Sequence, residues 1–291
     1  MKTLLTIALL AVAAAQWSRA ATTINSTNSF CYGANIGWIT WLGDGFNGAI
    51  IGEYLCQDYI YGANVGWIHL GNGMPTNGIQ YGNLSASDYG VNNDGYGNLR
   101  GLAYGANIGW INFESTGAPK VDMNTGIFSG YVWSANCGWI SLSNAFPYAF
   151  VQTDTIANGF DGDGDGMADA WEVIYFGSTA ASGSDDADGD GASNLQEYLA
   201  GTDPTDSGSV LKIIKHSTTF STTATKTTVG WQSVSNRNYY VQKTSNLKTN
   251  AWLDSGWGLI PSDGTNTLRA FSDTNEPARY FRVRAVRPLS P

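Results

Sequence analysis

A ten-residue motif occurs four times in the first half of the chain and constrains the fold more than any other feature. YGANIGWITW (Tyr32 to Trp41) returns as YGANVGWIHL (Tyr61 to Leu70), YGANIGWINF (Tyr104 to Phe113) and WSANCGWISL (Trp133 to Leu142), with starts 29, 43 and 29 residues apart. A unit recurring at such a period buries its apolar face only against its neighbours, so the copies belong to one repeat architecture. The longer middle interval, filled by the Gly/Asn-rich Gly71 to Asn83, groups the copies as two pairs.

Within a copy, Gly or Ser followed by Ala-Asn-x-Gly is turn chemistry, because Asn tolerates a left-handed backbone and Gly adopts it freely. The aromatic residue before the turn and the Trp-Ile after it read as two strands of a hairpin. Upstream of copies three and four, VNNDGYGNLRGLAY and VDMNTGIFSGYVW add a further strand and turn, making each unit a small antiparallel meander. Strand alternation places Ile39, Ile68, Ile111 and Ile140 on one face with Trp41, Leu70, Phe113 and Leu142, and this face is core. The opposite face holds Trp38, Trp67, Trp110 and Trp139 beside Thr40, His69, Asn112 and Ser141. Two readings of that Trp row stay open: an exposed platform on which sugar rings stack, or rings packed between repeats with Ile36, Val65, Ile108 and Cys137 helping to bury them.

The formal charge of −9 argues against a nucleic-acid partner. Its distribution is more informative. Residues 151–209 carry thirteen Asp and Glu and no Lys or Arg, whereas residues 210–291 carry eleven basic and four acidic side chains. In the acidic stretch, DGDGDGMADAWE sets Asp161, Asp163, Asp165, Met167, Asp169 and Glu172 at positions 1, 3, 5, 7, 9 and 12 of a calcium loop, with Gly166 at 6. DADGDGASNLQE repeats the pattern with Asp186, Asp188, Asp190, Ala192, Asn194 and Glu197. A hard cation of this size takes six to eight oxygens. Alternate side chains on a curled loop supply them, position 7 gives only its carbonyl, and the last Glu closes the shell. After each loop an amphipathic helix follows, with Trp171, Ile174 and Tyr175, then Leu195, Tyr198 and Leu199, at helical spacing. Gly177 and Gly201 end these helices, and Thr202-Asp203-Pro204-Thr205-Asp206 follows as a rigid exit.

These paired loops resemble the calcium-binding thrombospondin type 3 repeats of exported bacterial proteins, and a loop followed by a single helix is also similar to dockerin domains. The first resemblance implies a structural spacer wrapped around calcium, the second a docking partner. Gly at positions 2 and 4 of the first loop and the Lys-free helix faces depart from the dockerin pattern. The YGANIGW copies resemble aromatic-rich tandem repeats of exported bacterial proteins.

From Val210 onward, short alternating segments (VLKIIKH, TTVGWQSV, NYYVQKTS, WLDSGWGLI, TLRAFSD, RYFRVRAV) predict a β-sandwich. With Trp231 in its second strand and a final Tyr280-Phe281-Arg282-Val283-Arg284 strand, it is similar to a fibronectin type III module. Arg279, Arg282, Arg284 and Arg287 form a basic edge that suits an anionic glycan, the acidic segment, or plain solvation deterring edge pairing.

The amino terminus reads as a secretory signal peptide: a basic start at Lys2, an apolar run from Leu4 to Ala15, and Ser18-Arg19-Ala20 before the cleavage point. No later run reaches the roughly 20 apolar residues of a membrane-spanning helix. Cys31, Cys56 and Cys137 allow either a Cys31–Cys56 bridge with Cys137 buried or three free core thiols. The chain contains no nucleophile elbow, zinc signature or nucleotide loop, and its two His, His69 and His216, fall in different domains.

The expected fold is therefore mainly β: signal peptide 1–20, β-repeat domain 21–150, calcium-loop and helix segment 151–209, and C-terminal β-sandwich 210–291. The expected function is that of an exported, non-enzymatic, modular calcium-binding protein with a structural or adhesive role at the cell surface or in extracellular matrix. It would bind two or more calcium ions, with glycans or other surface proteins as partners. The alternative is a carbohydrate-binding protein using Trp38, Trp67, Trp110 and Trp139.

Overall fold

Each copy of the motif folds as the same hairpin. The computed structural model describes residues 22–44, 46–144, 148–220, 225–249, 251–273 and 280–290, so the signal-peptide reading and Arg279 lie outside the described residues. The hairpins are β1 (Ile24–Gly33) with β2 (Gly37–Thr40), β3 (Tyr59–Gly62) with β4 (Gly66–His69), β5 (Leu99–Gly105) with β6 (Gly109–Phe113), and β7 (Tyr131–Ser134) with β8 (Gly138–Ser141). In the first, Gly33 pairs with Gly37, the Ile36 amide donates to the Gly33 carbonyl at 3.1 Å, and Gly37 has φ 78°. The other three repeat this pattern, a type I turn closed by a glycine bulge. The left-handed residue is the glycine alone; the turn asparagines do not share it.

Their role is instead to join one hairpin to the next. The side-chain amide of Asn64 donates to the carbonyl of Ile36 at 3.1 Å, Asn107 to Val65 at 3.0 Å, Asn136 to Ile108 at 2.9 Å, and Asn35 to Cys137 at 3.0 Å. The last bond returns to the first hairpin, so the four form a ring. The strands close in the same way: β8 pairs with β1, Tyr32 opposite Ser141 and Gly33 opposite Ile140, completing an eight-stranded antiparallel barrel.

Neighbouring hairpins share one offset. Ile39 lies opposite Gly62, Ile68 opposite Gly105, Ile111 opposite Ser134 and Ile140 opposite Gly33. Every junction steps two residues, and four such steps return the sheet to itself with a stagger of eight, which in a barrel of this strand number leaves room inside only for side chains. The equal steps overturn the grouping into two pairs. The extra residues between copies two and three loop away from the ring, adding only Val91–Asn93 beside β5. Upstream of copy four, Lys120–Val121 and Phe128–Ser129 pair with each other. β9 (Ala149–Thr153) extends the sheet beyond β1.

The interior holds the four isoleucines as read from alternation, together with Ile36, Val65, Ile108 and Cys137, which therefore plug the turn end rather than cover the Trp rings. Space there is tight. A Cβ on Gly62 would lie 2.7 Å from Val65 Cγ2, and one on Gly105 would lie 2.8 Å from Ile108 Cγ1. Copy four has a side chain at this point, Ser134, and a smaller residue at the plug, Cys137, so two departures from the motif offset each other in volume. All three cysteines are buried and unbridged, and burial pushes the Cys31 and Cys56 thiols up to about 12.

Helices α1 (Asp169–Phe176) and α2 (Asn194–Ala200) follow the two acidic loops and end at Gly177 and Gly201, both left-handed. Of the expected stripes, Trp171 and Tyr198 are buried and Tyr175 and Leu195 pack against their cluster, whereas Ile174 and Leu199 are exposed and Glu172 and Glu197 are buried. The reason is the docking surface. Tyr54 of the barrel domain packs in one cluster with Met167, Ala168, Ala170, Trp171 and Tyr198.

The C-terminal module comprises β10 (Ile213–Phe220), β11 (Thr225–Gln232), β12 (Asn238–Thr244), β13 (Leu253–Asp254), β14 (Ile260–Pro261), β15 (Asn266–Asp273) and β16 (Tyr280–Val286). β10, β11 and β15 form one sheet; β13, β14 and β16 pair with β12 in the other. Val229 and Trp231 of the first sheet meet Tyr239, Val241 and Ile260 of the second in a buried core. The basic edge is largely engaged: Arg282 bonds Gln242 and lies over Trp252, and Arg284 lies over Tyr240.

Arg287 has a different role. It donates to Glu53 of the barrel domain at 2.8 Å and to the hydroxyl of Tyr198, which itself donates to Glu53 at 2.9 Å. Arg237, also from the sandwich, sits 3.9 Å from Glu53 and caps α2 by donating to the carbonyls of Tyr198 and Leu199. One buried carboxylate thus holds groups from all three segments.

Two outcomes test this packing. Gly105→Ala should destabilise the fold by about 1–3 kcal/mol through overpacking, and Cys137→Ile should be tolerated better with Ser134→Gly than alone, both read by urea unfolding. Glu53→Gln leaves two guanidiniums without their carboxylate and should cost about 3–5 kcal/mol by the same measurement.

Candidate functional site

The two acidic loops curl identically. Gly164 and Gly189, at position 4, both have φ 78°, and Gly166 and Gly191, at position 6, both have φ 96°. Asp161 accepts from the amides of Gly164 and Gly166, and Asp186 from those of Gly189 and Gly191. Asp165 and Asp190 accept from the residue at position 7, Met167 and Ala192, at 2.9 and 2.7 Å. Glycine at positions 4 and 6 gives the left-handed turns that a side chain would strain, and the amides orient the carboxylates inward.

As a result Asp161, Asp163 and Asp165 each offer an oxygen within 4.8 Å of the others, and so do Asp186, Asp188 and Asp190. The closing residues come from the first turns of the helices. Glu172 is fully buried, and neither of its carboxylate oxygens has a hydrogen-bond partner. Burial first, then the charges of Asp165, Asp163, Asp169 and Asp161, push its carboxyl up to about 7. In the second loop Glu197 keeps one oxygen on the Thr202 hydroxyl at 3.1 Å and leaves the other buried without a partner. Burial raises it to about 7 as well, the Thr202 bond opposing and Asp188, Asp190 and Asp186 adding to the rise. Asn194 donates to the Ser182 carbonyl and leaves its own Oδ1 buried and unmatched, as are Oδ2 of Asp188 and of Asp190.

A buried carboxylate without partners carries a large desolvation cost. A set of oxygen donors gathered in this way would suit a hard divalent ion of calcium's size, which takes only oxygen ligands and several of them. Loop one would hold it with Asp161, Asp163, Asp165 and Glu172, and loop two with Asp186, Asp188, Asp190, Asn194 and Glu197. Asp169, at position 9, would complete the first set as Asn194 does the second; its Oδ1 also accepts the Gly162 amide at 2.7 Å across the loop. Met167, read as a carbonyl donor, also buries its side chain in the cluster around Tyr54. Asp165 also accepts the Gly183 amide at 2.6 Å, from the segment that leads into the second loop.

The Trp row is exposed. Trp38, Trp67, Trp110 and Trp139 are 40%, 40%, 42% and 44% accessible on the outer wall of the barrel. Each packs at 4.9–5.1 Å and 58–59° against the aromatic residue opposite it, Tyr32, Tyr61, Tyr104 or Trp133. Across each junction lies a neutral polar residue: Thr40 opposite Tyr61, His69 opposite Tyr104, Asn112 opposite Trp133 and Ser141 opposite Tyr32. The result is a girdle running round the barrel rather than a flat row. It differs at one junction, where Tyr89 from the long insertion packs against Trp110 at 4.9 Å and its hydroxyl meets His69 Nδ1 at 2.8 Å. Burial holds His69 below its ordinary range there, with Asp58 opposing.

Sequence reasoning missed Glu53, Arg237 and the asparagine ring, and read Arg287 only as part of a basic edge rather than as a partner of Glu53. The signal for Glu53 was present: it is a lone carboxylate between Ile50-Ile51 and Tyr54-Leu55, an apolar context that requires a buried partner.

The raised carboxyls define a pH test. Glu172 and Glu197 hold their protons in the ion-free fold up to about 7 but release them near 4.5 when unfolded. The folded state therefore binds more protons across that window, and ion-free stability falls as pH rises from about 4.5 to 7. In chelator, melting temperature should drop over this range, and Glu172→Gln with Glu197→Gln should flatten the drop. No protein-family model matches the chain, and no curated protein or solved structure matches it either.

Proposed function

We propose that the chain is an exported, non-enzymatic calcium-binding protein in which two ions lock an acidic segment between a β-barrel and a β-sandwich, in a structural or adhesive role at the cell surface or in the surrounding matrix. The observation that carries this reading is the fully buried Glu172 carboxylate, unpartnered on both oxygens and raised by burial and then by the neighbouring aspartates, with Glu197 in the matching place of the second loop and Asn194 beside it. Such groups are costly without an ion and stabilising with one.

The second site is built into the junction of the three segments. Glu197 belongs to α2, whose next residue, Tyr198, bonds Glu53 through its hydroxyl and Arg237 through its carbonyl. Ordering loop two would therefore fix the helix that joins barrel to sandwich. A structural ion of this kind suits an environment with abundant calcium, where extracellular modules bind at roughly 0.1–1 mM.

Calorimetry with calcium on the chelator-treated chain should give two ions in that affinity range, with Trp171 sensitising terbium luminescence from loop one. Calcium should raise the melting temperature, and Glu172→Gln should weaken binding while raising the melting temperature in chelator. Absence of binding at 10 mM calcium, or melting unchanged by the ion, overturns the reading.

A further inference from the structure

The aromatic girdle is accounted for neither by the calcium loops nor by the core. We propose that it is a multivalent binding surface for neutral polysaccharide, each hairpin offering one small site in which an indole and its tyrosine or tryptophan neighbour stack on the faces of one or two sugar rings.

Three observations point to this class of ligand. First, the strands that form the girdle are aromatic and nearly free of charge, with the Glu114 carboxylate, one residue past β6, accepting from the Asn112 side-chain amide at its border. Across the eight barrel strands the charged side chain is Arg100, whose guanidinium bonds the Leu99 carbonyl beside it. A neutral ligand loses no ionic hydration on approaching such a wall, whereas an anionic glycan or acidic protein finds no counter-charge. Second, the exposed rings alternate with hydroxyl and amide side chains at the junctions, Thr40 and Asn112 among them. An apolar face edged by neutral hydrogen-bonding groups matches a sugar ring, which has C–H bonds on its faces and hydroxyls around its edge. Third, the same pair recurs at the same angle in every hairpin. Four similar sites, one of them bordered by Tyr89, suit a polymer that presents one unit repeatedly, while a folded protein partner presents a surface without repetition.

A lipid surface fits less well. The residues beyond the girdle, at the turn tips, are Ala34 and Asn35 and their counterparts, so nothing large and apolar leads into a bilayer, and the strands carry no basic cluster to attract anionic headgroups. The curvature of a small barrel also limits each site. One polysaccharide chain cannot lie along the whole ring, so each hairpin takes a short stretch and the four together bridge separate chains. Each contact is weak alone, and retention arises from simultaneous engagement.

The test is native gel electrophoresis of the full chain in gels cast with hydroxyethyl cellulose, xylan, galactomannan or soluble starch, with alginate as the anionic comparison. Sedimentation with phosphatidylcholine and phosphatidylglycerol vesicles serves as the lipid arm. Retardation by at least one neutral polymer is expected. Each of Trp38→Ala, Trp67→Ala, Trp110→Ala and Trp139→Ala should reduce it about 2-fold or more, and all four together should abolish it, since avidity falls with each lost site. These rings are exposed, and far-UV circular dichroism checks that each variant keeps its strands; should the quadruple variant unfold, the single variants carry the test. No retardation by any neutral polymer, retardation by alginate alone, sedimentation with vesicles in its place, or single and quadruple variants that migrate like the native chain would each overturn the proposal.

Discussion

Closure of the barrel is the constraint on which the remaining structure depends. Four copies of one short hairpin have no free edge only if the last meets the first, and the two-residue step at every junction makes that meeting possible. The asparagine ring enforces the step from outside the sheet, because each side-chain amide reaches the carbonyl of the neighbouring turn only at that offset. The glycines enforce it from inside, since the space a Cβ would fill is taken by the plug residue of the same copy and the isoleucine of a neighbour. With the register fixed, alternation settles the rest: Ile39, Ile68, Ile111 and Ile140 fill the interior, and Trp38, Trp67, Trp110 and Trp139 stand on the outer wall.

Apart from β9 beside β1 and Val91–Asn93 beside β5, the closed barrel leaves no sheet edge to pair with, and the acidic segment and the sandwich attach by side chains and loops. The Ala157 amide donates to the Ile51 carbonyl, and the Ile156 amide to the Leu289 carbonyl near the end of the described chain. Glu53 then gathers Tyr198, Arg237 and Arg287. A buried carboxylate between two guanidiniums is demanding rather than generous in energy, since its Coulombic gain is set against desolvation. What it supplies is geometry: α2 can take only the position in which its carbonyl end faces Arg237 and its Tyr198 hydroxyl faces Glu53.

Much of this was legible in the sequence because the repeated elements are local. A hairpin with a fixed turn, a twelve-residue loop and the helix after it each follow from residues within one short window, and the structure forms them where the spacing placed them. Facing also followed for the barrel, where period-two alternation puts Ile39 inside and Trp38 outside. It held in part for the helices. Of the stripe Trp171, Ile174 and Tyr175, the first and last pack with Tyr54, more than a hundred residues away in sequence, while Ile174 stays exposed. The asparagines were misassigned for a related reason. Their local turn propensity is real, yet the bond that uses them runs to a different copy, and no window of one repeat contains both partners.

The same long-range view gives the acidity its meaning. The sandwich is basic and the loop segment acidic, which invites the idea that one neutralises the other. The geometry runs otherwise. Arg237 directs its bonds to the carbonyls of Tyr198, Leu199 and Asn236, and Arg287 to Glu53, Tyr198 and Asn158. These guanidiniums close the junction beside the loops and leave the aspartates to one another. Three carboxylates within a few ångströms, with a fourth buried behind them, repel strongly in a partly desolvated site. Acids gathered so tightly, with Arg237 and Arg287 bonded elsewhere, are what the proposed calcium ions would neutralise. That is why the calcium reading rests on where the positive charges are committed as much as on where the negative ones lie.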